Sequence, residues 1–273
     1  MGVNGLDGVL SIRLRVSSSL GCCAMRPDLL DAEAAIDWAV SQLPVLEERI
    51  ETWRRGKPYA VRIDVNTNPG KKLYRLVDVR PLDPVINAEA GAIIHSIRSS
   101  LDLMVCALAA RNGYPDSTDT YFPFWKTKEA FEAPAGRKSN PVLRDIRRLT
   151  DGNQGIIKAL KPYPGGNDLL VALHQLDLTR KHRRLLDTFI FPRGIAFSPG
   201  IHGDMEMEVW DGFKEGAILF STPASSADTD VTIGLNVAFD EAGPMHGKNF
   251  TSSIRDFART AKNILVLFCP AWT

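Results

Sequence analysis

Three observations in this 273-residue chain predict an α+β fold. Pro84 to Gly113 repeats apolar residues at helical spacing, and Asp28 to Arg55 does the same. After Thr188 the apolar period falls to two, which is the period of strands. Helices therefore dominate the first two thirds and strands the remainder. The expected architecture is a helical core of about four main helices, with a β-hairpin and a C-terminal antiparallel sheet. One domain over 1–273 is the expectation. Within it, 1–26 is an N-terminal extension, 84–190 the helical core, 191–245 a β-rich part and 249–269 a closing helix.

Taken in order, VLSIRLRV alternates like a strand, and SSSLGCC interrupts it. Either a short N-terminal strand precedes the fold, or the chain properly starts at Met25, just before a clean helix start. Asp28 to Arg55 follows, with Leu29, Leu30, Ile36, Trp38, Leu43, Leu46 and Ile50 on its apolar face. Pro44 is expected to kink it, and Gly56 to end it. Tyr59–Val65 and Lys72–Val79 alternate across the turn NTNPGKK and form the hairpin. The central helix opens at Pro84, where a missing N–H costs nothing. Asn112-Gly113 stops it. Its apolar stripe, from Ile86 through Ile94 and Leu101 to Leu108, is wider than a surface helix needs.

Residues 114–139 form an aromatic loop with a short helix at Thr127–Glu132. Tyr121, Phe122, Phe124 and Trp125 fit a lid on the core better than a base-stacking platform, because few basic residues lie near them. Pro141–Leu149 and Asn153–Leu160 read as short helices with basic, solvated faces. Asn167–Asp187 is a longer helix packed by leucines, Leu185 among them. TFIFPRGIAF, MEMEVWDGFKEGAILF and VTIGLNVAF read as strands. Asn249–Cys269 closes the chain as a helix, with Ile254, Phe257, Leu265 and Leu267 inside.

A formal net charge of +1 gives no general pull toward nucleic acid or a membrane surface. Cys22, Cys23, Cys106 and Cys269 include no CxxC pair, and Cys106 and Cys269 look like core thiols. That usage implies a reducing, cytoplasmic setting. No secretory signal and no apolar run of membrane-spanning character is read. GxGxxG after a strand, GxxxxGK[ST], HExxH and GxSxG are all missing, and the histidines show no metal-ligand spacing. No cofactor and no metal is expected.

Two polar stripes remain. His95, Arg98 and Asp102 lie at i, i+3 and i+7 and border the apolar face of the central helix. The plainer reading pairs Arg98 with Asp102 at the rim of a core. His174, Asp177, Lys181 and Arg184 make a similar stripe on the later helix, with Lys181 expected to pair with Asp177. Arg180-Lys-His-Arg-Arg184 is the densest positive charge in the chain. It is either a solvated helix end favoured by the macrodipole or an anion site.

The segments IIHSIRSSLDLMVCALA (93–109) and LHQLDLTRKHRRLL (173–186) together resemble a group of bacterial and phage proteins. In that group one helix reads approximately HNLRSALDHLVWAL, a loop contains FP, and a later helix reads approximately LNNxDKHRLL. Here His95, Arg98, Leu101 and Asp102 match the first helix, Phe122-Pro123 the loop, and Lys181-His182-Arg183 the second helix. The group's first helix is similar to the Arg-x4–6-His signature of HEPN domains, helical modules that often act as metal-independent ribonucleases. This sequence departs from it at Leu103, where the His would stand, and at Arg180, where the group tends to have Asp.

The resemblance implies a HEPN-like core acting on RNA, in a homodimer. His95, Arg98, Asp102 and His182 are the expected catalytic residues, with His95 or His182 moving protons and Arg98 holding phosphate. Lys181, Arg183 and Arg184 are the expected substrate-binding residues. His182 is expected to be at least half buried and to reach Asp102 or a backbone carbonyl of the central helix. The alternative is a non-enzymatic ligand- or protein-binding module in which the same residues form a structural network. Leu103, read as a core residue, favours that alternative.

Overall fold

A computed structural model describes residues 25–66, 70–133, 141–198, 204–207, 213–241 and 244–269. The expected N-terminal strand, Cys22 and Cys23 lie outside the described residues. The fold is α+β. A 3-10 turn at Pro27–Leu29 leads into α1 (Leu30–Arg55). The hairpin β1 (Ala60–Asn66) and β2 (Lys71–Val77) follows, and then α2 (Pro84–Arg111). Next come α3 (Lys128–Glu132), α4 (Pro141–Ile146), α5 (Asp151–Ala159) and α6 (Asp168–His182). β3 (Thr188–Ser198), β4 (Glu206–Met207), β5 (Ile218–Pro223), β6 (Asp230–Phe239) and α7 (Phe250–Val266) complete the order.

α2 is the hub of the helical part and packs against α1, α6 and α7. Its start is set locally. Asp83 accepts the Val85 N–H at 2.9 Å, and Pro84 occupies the first turn. Ile93, Ile94, Ile97, Leu101, Met104 and Val105 are fully buried against the neighbouring helices. Each such side chain contributes about 1.5–3 kcal/mol of transfer free energy. Over an 18-residue window the mean hydropathy of α2 is 1.4, enough by length and composition to cross a bilayer. The sequence reading of no such run therefore needs correcting. The apolar faces of α1, α6 and α7 are what that hydropathy serves here.

α1 runs through Pro44 as one continuous helix. Leu30 and Trp38, expected on its buried face, are instead about half exposed at 50% and 46%. Leu185 and Leu267 also lie toward solvent. α6 starts on Asn167, whose Oδ1 accepts the Leu170 N–H at 3.1 Å. It ends at His182, five residues before the predicted end. The Arg183 and Arg184 N–H groups both donate to the Thr179 carbonyl, which closes the helix.

The strands depart from the sequence reading in how they are grouped. The hairpin does not stand alone: β2 pairs with β5, giving a four-stranded sheet in the order β1-β2-β5-β4. β3 and β6 form a separate two-stranded antiparallel ladder. That ladder shifts register between Pro192 and Gly194, where proline supplies no N–H.

The odd-numbered residues of β6 turn inward. Ile233 and Leu235 join Tyr74, Leu76, Leu219 and Phe220 in a core on the sheet. Val237 and Phe239 belong instead to the helical core. Trp53 packs against both cores, and the Tyr59 hydroxyl accepts the Ile233 N–H at 2.5 Å.

Candidate functional site

α2 and α6 lie antiparallel along one seam. Going up α2, Gly91 meets Arg180, His95 meets Asp177, and Arg98 meets His174. Both sequence stripes therefore face each other. Each helix carries its polar pair at i, i+3, so two contacts in register bring four functional groups together.

One half of the seam is closed. Arg98 is 5% exposed. It pairs with Asp102 at 2.7 Å, in an ion pair not directed as a hydrogen bond, as the unpartnered state of that nitrogen shows. Its Nε donates to His174 Nδ1 at 3.3 Å, and Nη2 to the Phe122 carbonyl at 3.2 Å. Asp102 Oδ1 accepts the Phe122 N–H at 2.8 Å. Arg98 and Asp102 thus hold both backbone polar groups of Phe122, as a neighbouring strand would. The Phe124 ring stacks on His174, with centroids 4.1 Å apart and planes 3° apart. The Arg98 guanidinium lies 4.8 Å over the same ring. Burial, helped by the Arg98 charge, pushes the His174 pKa down to about 4.

The aromatic loop is a packed cover, as expected. Phe122 and Trp125 are buried, whereas Tyr121 stays 51% exposed. Cys106 Sγ donates to the Thr120 carbonyl at 3.3 Å. Burial and then the Asp102 charge push the Cys106 thiol pKa up. Arg147 and Arg148, read as solvated, both pair with Asp119 of this loop.

The other half of the seam is open. His95 Nδ1 lies 2.9 Å from Asp177 Oδ1, and the His95 side chain is 38% exposed. An imidazole facing a carboxylate through Nδ1 carries its proton there, which leaves Nε2 with a lone pair. Asp177 is 2% exposed, and its other oxygen meets Lys181 Nζ at 2.7 Å. The Ser99 hydroxyl sits 3.4 Å and 3.5 Å from the two ring nitrogens of His95, one turn along α2. Arg180 lays its side chain across Gly91, where a Cβ would come within 3.0 Å of Arg180 Cγ. Among the described residues the Arg180 guanidinium has no carboxylate partner.

The remaining predicted residues are not in this seam. His182 is exposed, with no hydrogen-bond, ion-pair or ring partner among the described residues. It lines a cavity of about 540 Å³ with Gln175, Thr179, Arg183 and Glu241. The expectation that it is buried against α2 is overturned. Asp177 takes the place toward α2 that His182 was expected to take, because His182 stands five residues on and points away.

Arg183 is exposed as well. Arg184 is bound bidentately to the buried Glu241, at 3.2 Å and 3.2 Å, and also pairs with Asp187. It anchors the chain at the exit of α6, where Glu241 also accepts the Asp187 N–H. Leu103, read as core, is 41% exposed, so the position where the resemblance places a histidine faces solvent.

The sequence reading placed His174 and Asp177 on a stripe without assigning them a role. The signal for them was the matched spacing, His95-x2-Arg98 against His174-x2-Asp177. Ser99 and Gly91 gave no signal. Among the described residues no three His, Cys, Asp or Glu side chains cluster as metal ligands. In comparisons with known protein families, curated proteins and solved structures, nothing matches this chain.

Proposed function

We propose that the open half of the α2–α6 seam is a proton-transfer site directed at phosphodiesters, with RNA as the substrate class. The observation that carries this reading is the half-exposed His95 backed by the buried Asp177, with the unpaired Arg180 one turn away. A carboxylate behind Nδ1 fixes the tautomer and the orientation of the ring. His95 then acts as general base on a ribose 2′-hydroxyl. The 2′ oxygen attacks phosphorus, the bond to the 5′ oxygen breaks, and that oxygen takes a proton from water. Arg180 offers a guanidinium fork for the equatorial phosphate oxygens. Lys181 pairs with the second Asp177 oxygen and adds positive charge beside the cleft. The choice of RNA rests on the resemblance to HEPN modules, with His95 in place of the histidine that Leu103 replaces.

Arg98 takes no part in this scheme, since its buried guanidinium is engaged by Asp102, His174 and Phe122. That closed network supports a second reading, a binding module whose polar helix residues are structural. One experiment separates the two. Purified protein is incubated with mixed-sequence RNA beside His95→Ala, Asp177→Asn and Arg180→Ala variants of matched circular dichroism. The proposal expects cleavage by the wild type, lowered about 100-fold or more by His95→Ala, and clearly lowered by the other two. A wild type that leaves RNA intact, or variants that cut as well as it does, would leave the structural reading standing.

A further inference from the structure

The side of α1 turned away from the core is mainly apolar from Leu30 to Val45, and the exposed Glu48 continues the same line beyond it. Leu30, Ala34, Trp38, Ser41 and Val45 fall within an arc of about 80°. Leu30 is 50% exposed, Trp38 46% and Val45 51%. A run of this kind is more than the scattered exposed apolar residues of an ordinary surface. Its C-terminal end opens into a groove of about 760 Å³ lined by Val45, Trp53 and Val85 and edged by Glu48, Arg49 and Asp83, with Val85 itself 49% exposed. One end of the stripe is therefore a knob, Leu30, and the other end is a hole.

The charges along one edge of the stripe are complementary in the same sense. Asp31 and Arg49 stand about five full turns apart on one line of α1. Asp31 has no partner among the described residues. Arg49 is 52% exposed and meets Glu89 at 3.0 Å through Nε, which leaves its other guanidinium nitrogens for a second carboxylate. The midpoint of Asp31 and Arg49 is Val40. Ten residues from Val40 in one direction lies Leu30, and ten in the other falls within the span from Pro44 to Trp53 that lines the groove.

We infer that this face of α1 is an isologous interface that takes a second copy of the chain, with two α1 helices antiparallel about an axis near residue 40. A two-fold axis there places Leu30 of each copy over the groove of the other. It also sets Asp31 of each copy against Arg49 of the other, because edges on the same side meet in antiparallel helix pairs. Trp38 and Ser41 lie at the centre, where a large aromatic anchor beside a small residue packs well. This interface is independent of the reaction proposed above.

The test is the mass of the full chain by light scattering and sedimentation, from about 1 to about 100 μM. The wild type doubles its mass over that range. Trp38→Asp, on the outer face of α1, stays monomeric with an unchanged circular dichroism spectrum. Asp31→Arg weakens association at least tenfold. Asp31→Arg combined with Arg49→Asp restores it, an outcome that a merely sticky surface does not give. A wild type that remains monomeric at the top concentration overturns the inference, whatever else covers the stripe. A dimer indifferent to Trp38→Asp, or one that the double charge reversal fails to restore, overturns it equally.

Discussion

His174 shows how much one buried ring is bound to its surroundings. Its Nδ1 accepts from Arg98 while Phe124 covers its face, so a proton arriving at Nδ1 would displace a donor and meet a positive charge. The folded pKa of about 4 lies below the ordinary value near 6.5. The unfolded chain therefore gains its proton first as pH falls. Stability is complete above about pH 6.5 and declines as pH drops toward 4, by up to about 3 kcal/mol from this residue. Glutamine can still accept from Arg98 and does not titrate. Denaturant midpoints for the wild type and His174→Gln at pH 7, 5.5 and 4.5 should converge as pH falls. Curves that stay parallel would show that His174 contributes nothing to the acid limb.

The same residue marks what the sequence can and cannot reveal at this scale. The Arg98–Asp102 and Asp177–Lys181 pairs were legible, because i, i+4 spacing on a known helix fixes both partners. His182 was not. A histidine beside lysine and arginine at a helix end looks much the same whether it faces core or solvent, and only the neighbouring helix decides. Asp177 was shadowed by its expected pairing with Lys181, although a carboxylate has two oxygens and the second reaches across to His95.

At the scale of elements, the two long helices, the hairpin and the closing helix were readable because their apolar periods are long and bounded by caps. Strand partners were less so. β2 pairs on one side with β1, the strand just before it in the chain, whereas its other neighbour, β5, comes from more than 140 positions later. Period-2 alternation says that a strand is half buried but names no partner.

The loop between α2 and α3 has its own consequence. With no regular ladder of its own, it is held by side chains, chiefly Arg98 and Asp102 on Phe122. Removing Arg98 leaves Asp102 without its cation and the Phe122 carbonyl without its donor. Breaking a buried pair from one side costs roughly 3–5 kcal/mol. Arg98→Ala should therefore lower the melting temperature by about 6–20 °C and raise amide exchange most at Phe122 and its neighbours. Asp102→Ala should do the same to a smaller extent, since Asp102 is partly exposed. A normal melt with an unprotected loop in the wild type would mean that the latch carries no load.

For the whole molecule, β6 is the strand that decides whether the helical and sheet cores unfold together. Its ladder with β3 spans Thr188 to Ser198 without a long break. Ile233 and Leu235 lie in the sheet core, and Val237 and Phe239 in the helical core, at two-residue steps along one strand. Neither core can lose its share of β6 without fraying the ladder that holds the other. Trp53, at the end of α1, touches both cores from the opposite direction, and its indole N–H donates to the Pro81 carbonyl at 3.0 Å. Phe239 is fully buried against Phe250, with ring centroids 4.7 Å apart. Phe239→Ala should cost about 3–5 kcal/mol, or roughly 6–20 °C in melting temperature for a chain of this size. The cavity lies among helices, so a separable helical core would melt alone and leave the sheet behind. The shared strand predicts instead that far-UV circular dichroism and the exchange protection of Tyr74 and Phe220, far from the cavity, are lost at one lowered midpoint. Two midpoints, with Tyr74 still protected after the helices have melted, would show that the cores are independent and that β6 joins them only in space.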